Sequence, residues 1–318
     1  MRKCLYCYQS LTDKEQDFHP SCSKKIFGQT IPPELLYAEE DIEKLAKDII
    51  QSQTAVTGVQ AKISLHITSN TQAGNSKVDT AKRFTIVGLW GGYILKPSTS
   101  LYPELPEVED LTMHLASIIK IKTAPHSLIR LKSGNLAYIT KRIDRTKKGK
   151  LAMEDFCQLS ERLTEDKYQG SYEQVAKSIV KYSSSPGLDL INFFELLLFS
   201  FITGNADMHL KNFSLLEQGS IGMTLSPAYD LVNTKLVNPA DKEELALTIN
   251  GKKNSIKKQD FVTAMTSLHL DEKQQHNIFQ KMTKALPKCL ALIDQSFLSA
   301  GFKLQYKEMM EERISRLK

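Results

Sequence analysis

The pattern of apolar and polar residues changes along the chain, from short strand-like segments to longer helical stripes. Alternating or continuous apolar runs predict strands at Lys62–Ile67, Arg83–Val87, Tyr93–Lys96, Ser127–Leu131 and Leu136–Thr140. Gly91 and Gly92 are expected to form the turn between the second and third strands, and residues 133–135 the turn between the last two. The first half of the chain is therefore predicted to be rich in β-structure.

Helical spacing of apolar residues dominates the rest of the chain. The predicted helices are Glu39–Gln51, one that begins after Pro103 and Pro106, Leu188–Ile202, and further helices from Lys257 to the end. Two short strands, Phe213–Leu216 and Gly222–Leu225, interrupt this helical half. We expect an α+β chain with a Cys/His segment at 1–30, a small β-rich N-lobe at 31–141 and a larger helical C-lobe at 142–318.

Composition and charge exclude several classes of protein. The 318 residues are 41% hydrophobic and 25% charged, which is ordinary for a globular protein and excludes a disordered or fibrous chain. The net charge of +6 permits an anionic ligand without requiring nucleic acid. No apolar stretch reaches the roughly 20 residues that span a bilayer, and the N-terminus has no apolar segment typical of a signal peptide. We therefore expect a cytoplasmic protein without a membrane partner.

A dense set of polar residues directly follows the apolar helix, in the segment GNADMHLKNFS at 204–214. Asp207 could act as a base or position a nucleophile, and Asn212 could offer an oxygen to a hard cation such as Mg2+. Asp230 supplies a second carboxylate at the end of a later strand. Such a set suits phosphoryl transfer, in which one acid orients the nucleophile while the asparagine and the other acid hold metal against the phosphates.

Two other interpretations of the same residues stay open. Asp207 and Asp230 could be helix caps or turn residues, with His209 bonded to the backbone. A metal hydrolase could also use these three side chains, although the segment lacks a second clear histidine. The density of polar residues on a loop beside a core helix favours a functional site.

Phosphate transfer also requires a nucleotide site, which we expect in the β-rich half. Gly58, in the segment TGVQAK, precedes the first strand, where a loop could direct backbone amides at phosphates, although no Walker pattern is present. Lys96 ends an apolar strand and could reach a phosphate, the alternative being a solvated surface lysine. Three glutamates of the following helix could pair with this lysine: Glu104, Glu107 and Glu109.

The first thirty residues carry a possible metal-binding pattern, C-x2-C-x11-H-x2-C. Its residues are Cys4, Cys7, His19 and Cys22. They have the types and spacing of a small zinc knuckle, and the alternative is a group of reduced thiols around Phe18. Five cysteines, an odd number, argue against a disulfide framework.

The motifs TGVQAK, ILKP, EDFCQ, GNADMHLKNFS and LSPAYDL follow one another in the order and spacing of a known family. Over about 57–258 the chain resembles the HipA-type serine/threonine kinase toxins of bacterial toxin–antitoxin systems. It lacks the subdomain that precedes the glycine-rich loop in full-length HipA. In this it is similar to HipT, the kinase of tripartite systems in which that subdomain is a separate small protein, HipS. The resemblance implies a two-lobed kinase fold, ATP with Mg2+, and phosphorylation of a protein serine or threonine.

The resemblance also implies roles for individual residues. Lys96 would contact the ATP phosphates, with Glu109 as its ion-pair partner. Asp207 would be the catalytic aspartate, and Asn212 and Asp230 would ligate Mg2+. The EDFCQ segment matches a family motif, but the sequence suggests no chemical role for it.

Further expected contacts to ATP lie in the glycine-rich loop, at the hinge and after the catalytic aspartate. They are Thr57, Gly58, Val59, Gln60, Tyr138, Ile139, Lys141, His209 and Lys211. Tyr138–Lys141 would form the hinge beside adenine. The position of Ala55 carries an autophosphorylated serine in this family. Either Thr57 or Thr54 would replace that serine as the regulatory site, or the alanine is an engineered change.

The resemblance implies partners as well as a substrate. Known targets of the family are aminoacyl-tRNA synthetases, whose modification stops translation. A helix-turn-helix antitoxin of the HipB kind and a HipS-like protein would hold the kinase, and DNA would be contacted only through the antitoxin, because nothing here resembles a helix-turn-helix.

Two other functions remain as alternatives. One is a regulatory binding module with little catalysis, although a degenerate kinase would not need to keep Lys96, Asp207, Asn212 and Asp230. The other is a small-molecule phosphotransferase, which would leave TGVQAK and EDFCQ unexplained.

Overall fold

The computed structural model describes residues 2–42, 44, 62–69, 82–87 and 91–318. The chain divides into two compact units. Unit 1 contains Met1–Asp110 and Ala124–Ile143, and unit 2 contains Leu111–Thr123 and Asp144–Lys318. Both helices and strands occur, and every strand pair in the described ranges is antiparallel, as an α+β chain requires.

Unit 1 is built on a five-stranded antiparallel sheet. Its strands are β1 (Ile63–Ser69), β2 (Lys82–Ile86), β3 (Tyr93–Pro97), β4 (His126–Arg130) and β5 (Leu136–Lys141), in the spatial order β2-β1-β3-β5-β4. Helix α1 (Pro20–Phe27) also belongs to this unit, and helix α2 (Leu105–Ile118) begins in it. Leu65, Leu95 and Ile139 are fully buried at the centre of the sheet. The five strands predicted for this half are all confirmed.

The predicted turn at Gly91 and Gly92 is wrong. Strand β1 lies between β2 and β3 and pairs with both, so β2 and β3 do not form a hairpin. Gly91 is instead a point of close approach to β1. A Cβ atom at this position would lie 2.6 Å from the carbonyl oxygen of Leu65, which no side chain tolerates.

Most of the first 143 residues belong to unit 1. Residues 1–30 belong to unit 1 rather than standing apart, and the change of unit falls between Ile143 and Asp144. Residues 39–42 and 44 are helical, and the rest of the helix predicted at Glu39–Gln51 lies outside the described residues.

Unit 2 is mostly helical. After the end of α2, its helices are α3 (Phe156–Leu159), α4 (Tyr172–Tyr182), α5 (Pro186–Ile202), α6 (Thr234–Val237), α7 (Lys258–Ser267), α8 (Glu272–Gln295) and α9 (Ala300–Ser315). Strands β8 (Met153–Asp155), β9 (Ser214–Glu217) and β10 (Met223–Leu225) form a three-stranded sheet in the order β10-β9-β8, and β6 (Arg145–Thr146) pairs with β7 (Gly149–Lys150). The helices and short strands predicted for this half are confirmed.

Helix α5 forms the centre of unit 2. It begins with Pro186, whose fixed φ suits the first turn of a helix, and it packs against α4, α8 and α9. Phe193, Leu197 and Phe201 are fully buried along it. Burial of such side chains contributes roughly 1.5–3 kcal/mol each, so α5 is a rigid support for the loop that follows it. Across the described ranges, no helix combines the length and the apolar character needed to cross a membrane.

Candidate functional site

Lys96 and Glu109 form a buried ion pair in unit 1. Lys96 Nζ lies 2.5 Å from Glu109 Oε1, and the two side chains are only 6% and 3% exposed. Lys96 comes from β3 and Glu109 from α2, so the pair joins the sheet to the helix. A charge buried this deeply costs several kcal/mol unless its partner is present. Of the three glutamates that the sequence offered to Lys96, Glu109 forms this ion pair.

Tyr138 lies beside this ion pair. It stands opposite Lys96 on the neighbouring strand β5, and Lys96 Nζ is 5.4 Å from the centre of its ring. Its hydroxyl is buried without a hydrogen-bond partner among the described residues. Burial, reinforced by the negative charge of Glu109, holds the pKa of Tyr138 well above its usual value, so the ring stays neutral beside the pair.

Glu107 has a perturbed titration. Burial raises its pKa to about 7, and the negative charges of Glu104 and Asp110 act in the same direction. This carboxyl therefore ionises near neutral pH, and it lies in the first turn of α2.

The segment expected to form the hinge, Tyr138–Lys141, is part of strand β5. Tyr138 and Ile139 are buried, and their strand pairs with β3 on one side and β4 on the other. Lys141 ends the strand with an exposed side chain, and the chain changes unit just beyond it, after Ile143. The role of this segment beside adenine stays a prediction.

The polar loop after α5 is fixed to its own unit by side-chain hydrogen bonds. The amide of Asp207 donates to Asn205 Oδ1 at 3.2 Å, and the amide of Ala206 donates to Thr234 Oγ1 at 2.8 Å. Gly204 has φ +72°, and a Cβ atom there would lie 2.6 Å from Asn233 Oδ1. These contacts hold the Asp207 backbone while its side chain stays 42% exposed and is accessible to another molecule.

Asp207 has two aromatic neighbours. Tyr168 donates a hydrogen bond from its hydroxyl to Asp207 Oδ1 at 2.6 Å. Burial is the main cause that raises the pKa of Tyr168, and this hydrogen bond is the second. The buried ring of His209 packs edge-on against Tyr168 at 5.0 Å, with Nε2 4.0 Å from the same carboxylate oxygen. Nothing in the sequence indicated Tyr168, because it lies 39 residues before its partner.

Asn212 is the second oxygen donor predicted for this loop. It ends a short 3-10 helix, Leu210–Asn212, is buried, and donates from Nδ2 to the carbonyl oxygen of Asp207 at 2.8 Å. With the amide nitrogen held in this way, Oδ1 is the atom that can ligate a cation.

Asp230 follows β10 in a left-handed backbone conformation, with φ +57°. Its neighbour Tyr229 donates to the carbonyl oxygen of Lys211 at 3.0 Å and bonds with Ser214 Oγ at 2.5 Å. Tyr229 thus ties the segment of Asp230 to the segment of Asn212. A carboxylate and an amide oxygen are donors that Mg2+ accepts, so the residues fit the cation that the sequence implied.

The EDFCQ segment supports the same loop. Asp155 caps α3, where its side chain accepts from the Gln158 amide at 3.0 Å and Gln158 Oε1 accepts from the Asp155 amide. The other carboxylate oxygen of Asp155 lies 2.8 Å from Lys211 Nζ. Lys211, expected to contact ATP, is therefore paired with Asp155. The sequence suggested no role for the EDFCQ segment, and in the structure its Asp155 is a helix cap and an ion-pair partner.

The remaining predicted site residues fall into two groups. Thr54, Ala55, Thr57, Gly58, Val59 and Gln60 lie outside the described residues. Cys4, Cys7, His19 and Cys22 come together in unit 1, with all four ligand atoms within 4.8 Å of one another.

Comparison with known proteins gives relatives named as kinases. A protein of Sinorhizobium fredii named "Putative kinase Y4dM" is 29% identical over 232 residues, which is 69% of this chain and 54% of that protein. A protein of Haemophilus influenzae named "Putative kinase" is 27% identical over 215 residues, which is 63% of this chain and 58% of that protein. The chain therefore spans little more than half the length of these relatives.

Two solved structures share the fold. A chain of the complex of the Shewanella oneidensis MR-1 toxin–antitoxin system HipA, HipB and its operator DNA aligns with a TM-score of 0.66 and 21% identity, over 97% of this chain and 73% of that one. The Helicobacter pylori proinflammatory kinase CtkA aligns with a TM-score of 0.51 and 18% identity, over 70% of this chain and 86% of that one. A family model described as the HipA-like C-terminal domain matches residues 54–290, which is well over half of the sequence. The chain belongs to the family of proteins with a HipA-like C-terminal domain.

Proposed function

We propose that this chain is a serine/threonine protein kinase of a bacterial toxin–antitoxin system. It transfers the γ-phosphate of ATP to a protein target, for which an aminoacyl-tRNA synthetase is the candidate. The observation that carries the proposal is the buried pair of Lys96 and Glu109. Buried ion pairs contribute little to stability compared with apolar residues, so a lysine kept in this setting is best explained by a ligand that needs it.

The contacts described for Lys96, Asp207 and Asn212 support the proposed roles. Lys96, held by Glu109, binds the ATP phosphates. Asp207 accepts the hydrogen bond of the substrate hydroxyl and orients that oxygen towards the γ-phosphate, while Asn212 and Asp230 hold Mg2+. When bound, Mg2+ supplies positive charge that neutralises the phosphates.

Tyr168 positions Asp207 in this proposal. Its hydroxyl already donates to one carboxylate oxygen, Oδ1, at 2.6 Å. The second oxygen can then accept the hydroxyl of the incoming serine or threonine, because a carboxylate has acceptor sites on both oxygens. We further propose that unit 1 is the small lobe and unit 2 the large lobe of a kinase.

The proposal includes partners and regulation. The solved relative from Shewanella oneidensis is described as a complex of HipA, HipB and operator DNA. By analogy, a HipB-like antitoxin and a HipS-like protein would hold this chain, with DNA bound through the antitoxin. Thr57 or Thr54 would be autophosphorylated, and the added charge of about −1.5 to −2 would repel the incoming phosphates.

The test is phosphate transfer from labelled ATP and Mg2+, with and without cell extract. Asp207→Asn is the inactive variant, and Asp271→Asn is the matched control, because an asparagine can replace the aspartate that caps α8. We expect label on a synthetase-sized protein with wild type and Asp271→Asn, and none with Asp207→Asn. Folded wild-type protein that binds ATP but labels nothing contradicts the kinase and favours the regulatory binding module.

A further inference from the structure

The strongest group of ligand-type side chains outside the proposed active site lies in the first thirty residues. Its members are Cys4, Cys7, His19 and Cys22. We propose that these four residues bind a single structural zinc ion, which fastens the N-terminal segment to the sheet of unit 1. The proposal does not depend on the kinase activity, because none of these residues belongs to the site described above.

The distances within the group match tetrahedral zinc coordination. With Zn–S bonds of about 2.3 Å and Zn–N bonds of about 2.0–2.1 Å, tetrahedral geometry separates a sulfur and a nitrogen by about 3.6 Å, and two sulfurs by about 3.8 Å. His19 Nδ1 lies 3.4 Å from Cys7 Sγ and 3.8 Å from Cys22 Sγ. All ligand atoms of the group lie within 4.8 Å of one another, so a zinc ion requires only small shifts of the side chains.

The second nitrogen of His19 is held as in a zinc site. Nε2 lies 3.1 Å from the carbonyl oxygen of Ser10, which can only accept a hydrogen bond. Nε2 therefore carries the proton, and Nδ1 presents its lone pair to the thiols. Histidine ligands of zinc almost always donate their other N–H to a carbonyl or carboxylate in this manner.

The backbone brings the ligands together from two short elements. A tight turn carries Cys4 and Cys7, closed by the bonds from the Cys4 amide to Gln9 O at 2.8 Å and from the Tyr8 amide to Cys4 O at 2.9 Å. Tyr8 adopts a left-handed conformation with φ +63°, which is unfavourable for this residue type. His19 is the residue before α1, and Cys22 lies in its first turn. A bound ion would compensate for the strain of this turn.

The ligand set selects the kind of metal and its role. Three thiolates and one imidazole favour zinc over Mg2+ or Ca2+, which prefer oxygen donors. Four protein ligands complete a tetrahedron and leave no position for water or substrate. The site is therefore structural rather than catalytic.

Contacts around the group indicate what the ion would stabilise. The carbonyl oxygen of Leu5 accepts from Ser127 Oγ at 3.2 Å, and Tyr93 donates from its hydroxyl to the carbonyl oxygen of Ile26 at 3.0 Å. Both partners belong to the sheet of unit 1. The ion would thus hold together the turn and helix that cover this sheet, in a segment too short for a hydrophobic core of its own.

The test measures bound metal in the purified full-length chain under reducing conditions. We expect about one zinc ion per chain in the wild type, and loss of most of it in Cys22→Ser and in His19→Gln. The matched control is Cys289→Ala, which removes another buried cysteine on α8 and should retain zinc. Zinc that stays bound to Cys22→Ser lies at a different site and overturns the proposal.

A second measurement remains decisive if the variants do not fold. Wild-type protein is stripped with a chelator and titrated with Co2+, whose visible absorption identifies tetrahedral coordination and whose charge-transfer band identifies thiolate ligands. We expect both bands, and their displacement by zinc. Wild-type protein that carries no zinc and gives neither band contradicts the proposal, as does a disulfide between two of the three cysteines in freshly reduced and re-purified protein.

Discussion

Removal of one partner of the Lys96–Glu109 pair is expected to destabilise the protein strongly. Both side chains are more than nine-tenths buried and lie 2.5 Å apart, so neither charge can reach water when the other is removed. Loss of one member of such a pair costs about 3–5 kcal/mol, because the remaining charge is uncompensated. We therefore expect Lys96→Met and Glu109→Met each to lower the free energy of unfolding by about 3–5 kcal/mol.

The double variant separates stability from function. Lys96→Met combined with Glu109→Met removes both charges, and replacement of a whole buried pair by apolar residues of similar volume is often close to neutral for stability. We expect the double variant to recover most of the stability lost in either single variant. It should nevertheless remain inactive in phosphate transfer, because the lysine proposed to bind the ATP phosphates is absent.

Denaturant titration of the four proteins, with phosphate transfer measured on the same samples, tests this reasoning. Far-UV circular dichroism reports unfolding, and tryptophan fluorescence provides a second probe of the transition. Single variants that lose less than about 1 kcal/mol would show that water reaches the pair and that its burial is not costly. A double variant that transfers phosphate at the wild-type rate would refute the proposed role of Lys96.

Three further predictions concern residues around the two candidate sites. Glu107→Gln should leave stability unchanged near pH 4 and raise the free energy of unfolding by at most about 3 kcal/mol above about pH 7. The reason is the raised pKa of Glu107, because its ionisation in the folded protein costs stability as pH rises from about 4.5 to about 7. Denaturation measured at several pH values tests this. Tyr168→Phe should lower kcat about 10- to 100-fold, because it removes one hydrogen bond to a charged group. The KM for ATP and the stability should stay nearly unchanged. An unaltered kcat would exclude a positioning role for Tyr168. Asp155→Ala should destabilise the protein by about 1–2 kcal/mol, because it removes the cap of α3. Asp155→Asn should lose less stability, because asparagine also caps helices. Equal losses of stability in thermal unfolding would assign the effect to the ion pair with Lys211.

Local patterns in the sequence predicted the elements well, because each strand and helix depends on its own periodicity. The spatial order of the strands in the sheet could not be predicted from these local patterns. The sequence placed a hairpin turn at Gly91, and the structure places β1 between the two strands concerned. Pairing partners depend on contacts between distant segments, which alternation of apolar residues does not encode. The glycine was a real signal, but of a close approach to Leu65 rather than of a turn.

The candidate site shows the same division between local and distant information. Motif spacing singled out Asp207 and Asn212, and these two are joined through a hydrogen bond within five residues. The choice of Glu109 among three glutamates depended on resemblance to a family, since only the packing of α2 decides which carboxylate faces Lys96. Tyr168 was missed because a tyrosine in a polar loop carries no pattern that distinguishes it from a surface residue.

Two consecutive residues of α2 connect the proposed zinc segment to the proposed nucleotide lysine. Glu109 contacts Lys96, and the buried carboxylate of Asp110 accepts a hydrogen bond from the Tyr8 hydroxyl at 2.7 Å. Successive side chains on a helix point about 100° apart, so the two contacts hold α2 from different directions and together fix its rotation about its axis. Tyr8 directly follows Cys7, a proposed zinc ligand. The turn that the proposed zinc ion would stabilise therefore contacts, through Tyr8, the helix that carries Glu109, and we expect loss of zinc to loosen this contact.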